Sequence, residues 1–256
     1  MRIRLDEQLE NLNEELISLG VLCEKAISRS IEALRQQATL NEEQISDLNL
    51  QIESKERSIE ERCIKLLMQQ QPVARDLRLI SSALKMVTDM KRIGIQAGNI
   101  AEIVDINEAT NGFKPFKRDL NDNGDMGRVR TGNEISEDDT PSNTQTEEIP
   151  PIYQLPELGD EIVRMADATR QMVTESIDAF VNKDEETANK VMAKDDEIDR
   201  YFVEIKDEIV ERLKKSDVHG ERAIDLLMVA KYLERIGDHA ENIARWVLYS
   251  IEGKVR

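Results

Sequence analysis

The chain has 256 residues, 34% of them charged and only 4% aromatic, with a formal net charge of −17. So acidic a chain lacks the basic face that phosphate contacts demand, which argues against a nucleic-acid partner and is compatible with cation binding. Few aromatics and many charges suit long amphipathic helices better than a β-sandwich, and no stretch approaches the roughly 18 apolar residues that read as a membrane span.

From Leu5 to about Gln37, apolar residues at Leu9, Leu12, Leu16, Leu19, Leu22, Cys23, Ala26, Ile27, Ile31 and Leu34 recur at three- and four-residue steps. That period predicts one long amphipathic helix. The opening Met1-Arg2-Ile3-Arg4-Leu5-Asp6 lacks the apolar run of a signal peptide, so a cytoplasmic protein is expected. Asn41-Glu42-Glu43 is the next start signal, with Asn41 as N-cap, and a second helix runs through Ile45, Leu48, Ile52, Ile59, Cys63 and Leu66 to about Gln70. Pro72 stops it. The third helix extends from about Ala74 to Asn107 through Leu77, Ile80, Leu84, Val87, Ile93, Ala97 and Ile100. Three helices with short turns make an antiparallel bundle. Cys23 and Cys63 stand far apart without zinc-like spacing and read as buried thiols.

From about Thr110 to Pro156 the periodicity stops, and Asn-, Asp-, Gly- and Pro-rich turns take over, as expected of a flexible linker or insertion. Within it, Asp119-Leu120-Asn121-Asp122-Asn123-Gly124 matches half of a calcium loop. Arg130 stands where that loop needs a bidentate Glu, so an ordinary polar turn is the reading. A second unit begins near Leu158, with one helix through Ile162, Met165, Met172, Val173, Ile177 and Phe180 and the next through Ala188, Val191, Ile198, Phe202, Ile205, Ile209 and Leu213. A turn near Ser216–Gly220 leads into a last helix through Leu226, Val229, Leu233, Ile236, Ala240, Ile243 and Val247, where Trp246 and Tyr249 read as packing residues.

The two units are copies. Arg-Ile-Gly, then Ala, then Asn-Ile-Ala recur in identical register at Arg92–Ala101 and Arg235–Ala244, and Ser30-Ile31-Glu32-Ala33-Leu34 answers Ser176-Ile177-Asp178-Ala179-Phe180. The second offset sets Asn49 and Glu53 opposite Asp195 and Asp199. An internal repeat outranks any single motif in deciding the fold. The expectation is an all-α tandem repeat of two three-helix bundles, residues 1–109 and 157–256, joined by 110–156.

On the last helix Glu234, Asp238 and Glu241 share one flank beside the apolar stripe. Carboxylates four residues apart repel one another, and beside a dry seam the repulsion grows unless a cation intervenes. Gly237 offers close approach to a neighbouring helix or an ion. Asp195 and Asp199 repeat the same one-turn spacing on the preceding helix. Two such pairs on consecutive helices resemble the way carboxylate-rich bundles hold iron or manganese; a solvated acidic flank with a packing glycine is the plainer reading. His239 points roughly 100° away from Asp238 and reads as a surface or packing residue. No phosphate-cradling glycine loop and no nucleophile–base motif is present, so no enzyme is expected.

Through Glu234-Arg235-Ile236-Gly237-Asp238 with Asn242-Ile243, the Asp195–Asp199 pair and Gln71-Pro72-Val73-Ala74-Arg75-Asp76-Leu77-Arg78, the chain resembles the PhoU family of phosphate-uptake regulators. The resemblance covers both repeats. It implies a pseudo-twofold pair of three-helix bundles, acidic motifs that bind multinuclear iron or zinc, and a non-enzymatic role damping both phosphate uptake and the phosphate-starvation response. The implied partners are the phosphate ABC transporter ATPase and a phosphate-sensing histidine kinase, with peripheral membrane association only and a homodimer expected. The ligands it implies are Asp195, Asp199, Glu234 and Asp238, whose hard oxygens also suit manganese or magnesium. The first repeat departs from the pattern: Lys91, Ile95 and Asn49 replace three of four ligands, leaving Glu53, which is expected to pair with Lys91. The alternatives are a protein-binding adaptor without functional metal and a di-metal oxidase, the latter lacking Glu-x-x-His ligands. Limited proteolysis is expected to cut between about Thr110 and Ile149 before either bundle, because so polar a segment buries too little to offset its ordering entropy; early cuts inside the helices would contradict that reading.

Overall fold

A computed structural model describes residues 2–36, 42–70, 72–109, 156–216, 218 and 220–254. Among them the secondary structure is six α-helices: α1 (Arg2–Gln36), α2 (Glu42–Gln70), α3 (Ala74–Ala109), α4 (Pro156–Asn182), α5 (Glu185–Lys215) and α6 (Gly220–Glu252). Each coincides with a predicted helix. Asn41, the calcium-loop fragment and the expected linker (its last residue, Pro156, excepted) lie outside the described residues.

The helices owe their mutual packing to a seven-residue rhythm. On α1, Leu5, Leu12, Leu19 and Ala26 are buried in one row and Leu16, Cys23 and Ser30 in a second. On α2, Ile45, Ile52, Ile59 and Leu66 do the same. A heptad keeps one seam facing its partner over many turns, as in left-handed bundles. α1, α2 and α3 pack pairwise into one bundle and α4, α5 and α6 into another. The bundles meet through α1 on α4 and, most extensively, α3 on α6. Both contacts join equivalent helices, which is the pattern that a pseudo-twofold axis imposes.

One continuous core runs through both bundles. Fully buried side chains such as Leu12, Leu16, Ile59, Met86 and Phe180 contribute about 1.5–3 kcal/mol each relative to exposure. Cys23 and Cys63 are buried free thiols, as expected, and burial pushes both up to about 12. Trp246 and Tyr249 pack edge to face at 5.9 Å. Polar links cross between bundles: Thr174 Oγ1 donates to Glu24 Oε1 at 2.9 Å. Within the first bundle, Ser30 Oγ donates to the Ala97 carbonyl at 2.6 Å and ties α1 to α3. Among the described residues no helix is long and apolar enough to cross a membrane.

Gly20 lies on the face of α1 that packs against α4. A Cβ there would stand 2.6 Å from Ile177 Cδ1, and Ile177 is itself buried. Gly20→Leu is therefore expected to lower stability by about 1–3 kcal/mol through overpacking, read from the urea midpoint. Adding Ile177→Ala should recover part of that loss, a coupling that two independent sites do not show.

Candidate metal centre on the α5–α6 seam

Ala188, Asp195, Phe202 and Ile209 recur every seven residues on α5, and Ala188 and Ile209 are buried. The rhythm that builds the bundle therefore carries Asp195 onto an inward-facing row. Opposite it on α6 stands Gly237, where a Cβ would lie 3.3 Å from Ile198 Cγ2 and 3.6 Å from Asp195 Oδ1. The glycine leaves room beside the carboxylate that a methyl group would fill. Desolvation is the largest of the effects that push the Asp195 carboxyl up to about 7; the charges of Glu241, Asp199 and Asp238 add to it, and Arg245 opposes them.

The other predicted ligands differ in setting. Asp199 and Asp238 are exposed and stand close enough to act on Asp195 through their charge. Glu234 is largely covered, its side chain 14% exposed, and is ion-paired with Lys231. The Lys231 ammonium also lies over the Phe202 ring, 5.1 Å from its centroid. Glu241 accepts a 2.7 Å hydrogen bond from Arg245 Nη2. The structure thus couples Asp195, Asp199 and Asp238 and holds Glu234 on a lysine of its own helix. Among the described residues no three His, Cys, Asp or Glu side chains close to chelating distance of one point. Asp195, Asp199 and Asp238 form no ion pair there.

Sequence reasoning placed Glu241 on this flank but left it out of the ligand set, and it missed both resident cations. Lys231 and Glu234 are three residues apart and Glu241 and Arg245 four, and those spacings alone make helix-surface pairs. The donor set suits a hard cation: carboxylate oxygens on facing helices, surplus negative charge and space beside Gly237.

In the first bundle the equivalent seam is built differently. Asn49 stands against two glycines: a Cβ on Gly98 would lie 2.5 Å from Asn49 Nδ2, and one on Gly94 would lie 3.7 Å from its Oδ1. Lys91 Nζ donates to Glu56 Oε2 at 3.1 Å, and Glu56 is buried. Glu53 accepts from Arg57 Nη2 at 2.6 Å. The expected Glu53–Lys91 pair is thus corrected: Glu56 faces inward on the α2 heptad, where Lys91 reaches it, while Glu53 lies within reach of Arg57 one turn along its own helix. His239, read as a surface or packing residue, is a packing residue with a polar partner: it sits 3.0 Å through Nδ1 from Asp89 Oδ1, both largely covered, and joins α6 to α3.

The raised Asp195 carboxyl makes metal-free stability pH-dependent. A group protonated in the fold up to about pH 7, but ionised in the unfolded chain above about 3.9, costs stability as pH rises between those values. Wild-type protein in chelator should therefore lose melting temperature relative to Asp195→Asn from about pH 5 to about pH 7, and the difference should level off above that. A difference that stays constant or grows in the opposite direction would remove the desolvated carboxyl from the account.

The family model described as "PhoU domain" matches residues 3–104 and 162–247, one segment in each bundle. The chain is similar to the phosphate-specific transport system accessory protein PhoU homologue of Pseudomonas putida, at 29% identity over 98% of this chain and 81% of that one. It is 28% identical to the homologue of Clostridium acetobutylicum, covering 97% of this chain and 94% of the other. The crystal structure of PhoU from Pseudomonas aeruginosa superposes with a TM-score of 0.73 at 27% identity, over 97% and 99% of the two chains. The phosphate transport system regulatory protein PhoU of Streptococcus pneumoniae shares the fold, with a TM-score of 0.73 at 20% identity over 98% and 99%. With the same domain matched once in each repeat, over most of its length, the chain belongs to the PhoU family.

Proposed function

We propose that the protein is a non-enzymatic regulator of phosphate uptake and of the phosphate-starvation response, acting in the cytoplasm as a metal-binding adaptor. Its partners in this reading are the phosphate transporter's ATPase and a phosphate-sensing histidine kinase, and it works as a homodimer. Near full-length similarity to proteins named as phosphate-transport accessory factors supports the regulatory role. The metal assignment is carried by one observation: Asp195, an inward carboxylate beside Gly237, faces the charges of Asp199, Asp238 and Glu241. Iron, zinc, manganese or magnesium bound by Asp195, Asp199, Glu234 and Asp238 would neutralise that charge, and holding α5 to α6 is the chemistry it would supply. An adaptor without functional metal is the second reading. It is favoured by the internal cations: Lys231 already pairs with Glu234, and Arg245 with Glu241.

Two experiments test this. Protein purified without chelator should carry metal by elemental analysis; Glu234→Gln with Asp238→Asn should remove it and Glu53→Gln should not. Metal retained in the double variant and lost in Glu53→Gln would reverse the assignment. In cells, deleting the gene should leave phosphate-starvation genes expressed in phosphate-rich medium, and normal repression there would refute the regulatory role.

A further inference from the structure

We propose that Lys231 is the resident cation of the second-bundle seam, a tethered ammonium that occupies Glu234 until a metal ion displaces it and so sets the metal concentration at which the site fills. This rests on the metal-binding reading of that seam. Three observations carry it. Lys231 Nζ is ion-paired with Glu234 Oε2 in a largely covered position. The same ammonium lies over Phe202, which together with Asp195 belongs to the inward row of α5. The first bundle holds an ammonium at the equivalent level. The register that sets Asn49 opposite Asp195 sets Glu56 opposite Phe202, and the register that sets Arg92 opposite Arg235 sets Lys91 opposite Glu234. Lys91 Nζ, 3.1 Å from Glu56 Oε2, therefore occupies between α2 and α3 the level that Lys231 occupies between α5 and α6.

The two ammoniums differ in what displacing them would accomplish. Lys91 stands at a ligand position itself, so its charge is permanent there and removing it would free no ligand. Lys231 stands one turn before Glu234, and its side chain is 40% exposed. A lysine is a point charge on a flexible four-carbon stem, so it can swing to solvent and release the Glu234 carboxylate without moving the backbone. Glu234 cannot give the same oxygens to an ammonium and to a metal ion. The occupied state therefore lowers apparent metal affinity by the fraction of molecules in which Glu234 is free.

The test is calorimetric titration of chelator-stripped full-length protein with Mn2+ and separately with Zn2+. Lys231→Met keeps the apolar stem on Phe202 and removes the charge. It should bind at least about tenfold more tightly than wild type and show a larger rise in melting temperature on metal addition. Lys231→Arg should stay near wild type, and adding Glu234→Gln to Lys231→Met should cancel the gain. Arg235→Met removes an exposed positive charge from the same helix and should give a much smaller gain. Should Lys231→Met not fold, Lys231→Gln is compared in the same way. Equal or weaker binding by the charge-removing variant, Lys231→Met or Lys231→Gln, with wild type binding metal, overturns the role of Lys231 and leaves the metal site standing. An equal gain from Arg235→Met also overturns it, since the effect is then general charge. Binding by none of the proteins overturns the metal reading and this inference together.

Discussion

The packing of α3 against α6 is the constraint on which the other helices depend. Each of these helices packs firmly on three others: α3 on α1, α2 and α6, and α6 on α3, α4 and α5. A helix in that position must be apolar round most of its circumference. The burial of Ile80, Ala83, Met86, Val87, Met90, Ile93, Ala97 and Ile100 on α3 meets that demand, as does Leu226, Val229, Leu233, Ile236, Ala240, Ile243 and Val247 on α6. A charge within such an interface must find a partner or be expelled. Asp89 and His239 satisfy one another across it, which adds a directional link to the apolar contact.

Because the repeats share a frame, one structural level can be followed through both. The level of Asn49 and Asp195 lies on the inward rows of α2 and α5, where a polar side chain needs room to fit. In the first bundle the room comes from Gly94 and Gly98, against which the Asn49 amide lies. In the second, Gly237 keeps the first of these gaps, while Glu241 stands where Gly98 stood. At two matched positions, Asp195 and Glu241, the second bundle thus carries carboxylates where the first carries Asn49 and Gly98. The acid stands at the level where its surroundings are also acidic, and the Asp195 carboxyl is pushed up as the physical result.

Most of the fold was legible in the residues because heptad spacing, Pro72 and the internal repeat all reduce to local periodicity. The same holds for the buried thiols and for the general position of the acidic seam. What escaped depended on the third dimension. Asp89 and His239 are 150 residues apart and lie in different repeats, so no spacing rule joins them. Lys91 had two acids within plausible reach, and only the inward placement of Glu56 decides between them. Lys231 and Arg245 were visible as helix-surface spacings, but their weight became apparent only once Glu234 and Glu241 proved to be covered rather than solvated. A pair of that kind matters little in water and much beside a seam.

The duplication also divides two demands that conflict within a single bundle. An acid-lined seam destabilises its own helices, since carboxylates beside a dry interface lose solvation and repel one another. A seam closed by an internal ion pair such as Lys91–Glu56 avoids that cost but has no oxygens to offer a ligand. With α3 fastened to α6, the first bundle, whose seam is closed by that ion pair, supports the acid-lined second bundle. The second can therefore retain locally unfavourable charge, the usual mark of a site shaped for something other than stability. Asp195 carries a charge that its neighbours repel and Asn49 carries none, although the two positions share a fold, a register and a neighbouring glycine. The difference lies in chemistry alone, so the second bundle is where a ligand would have the most to stabilise.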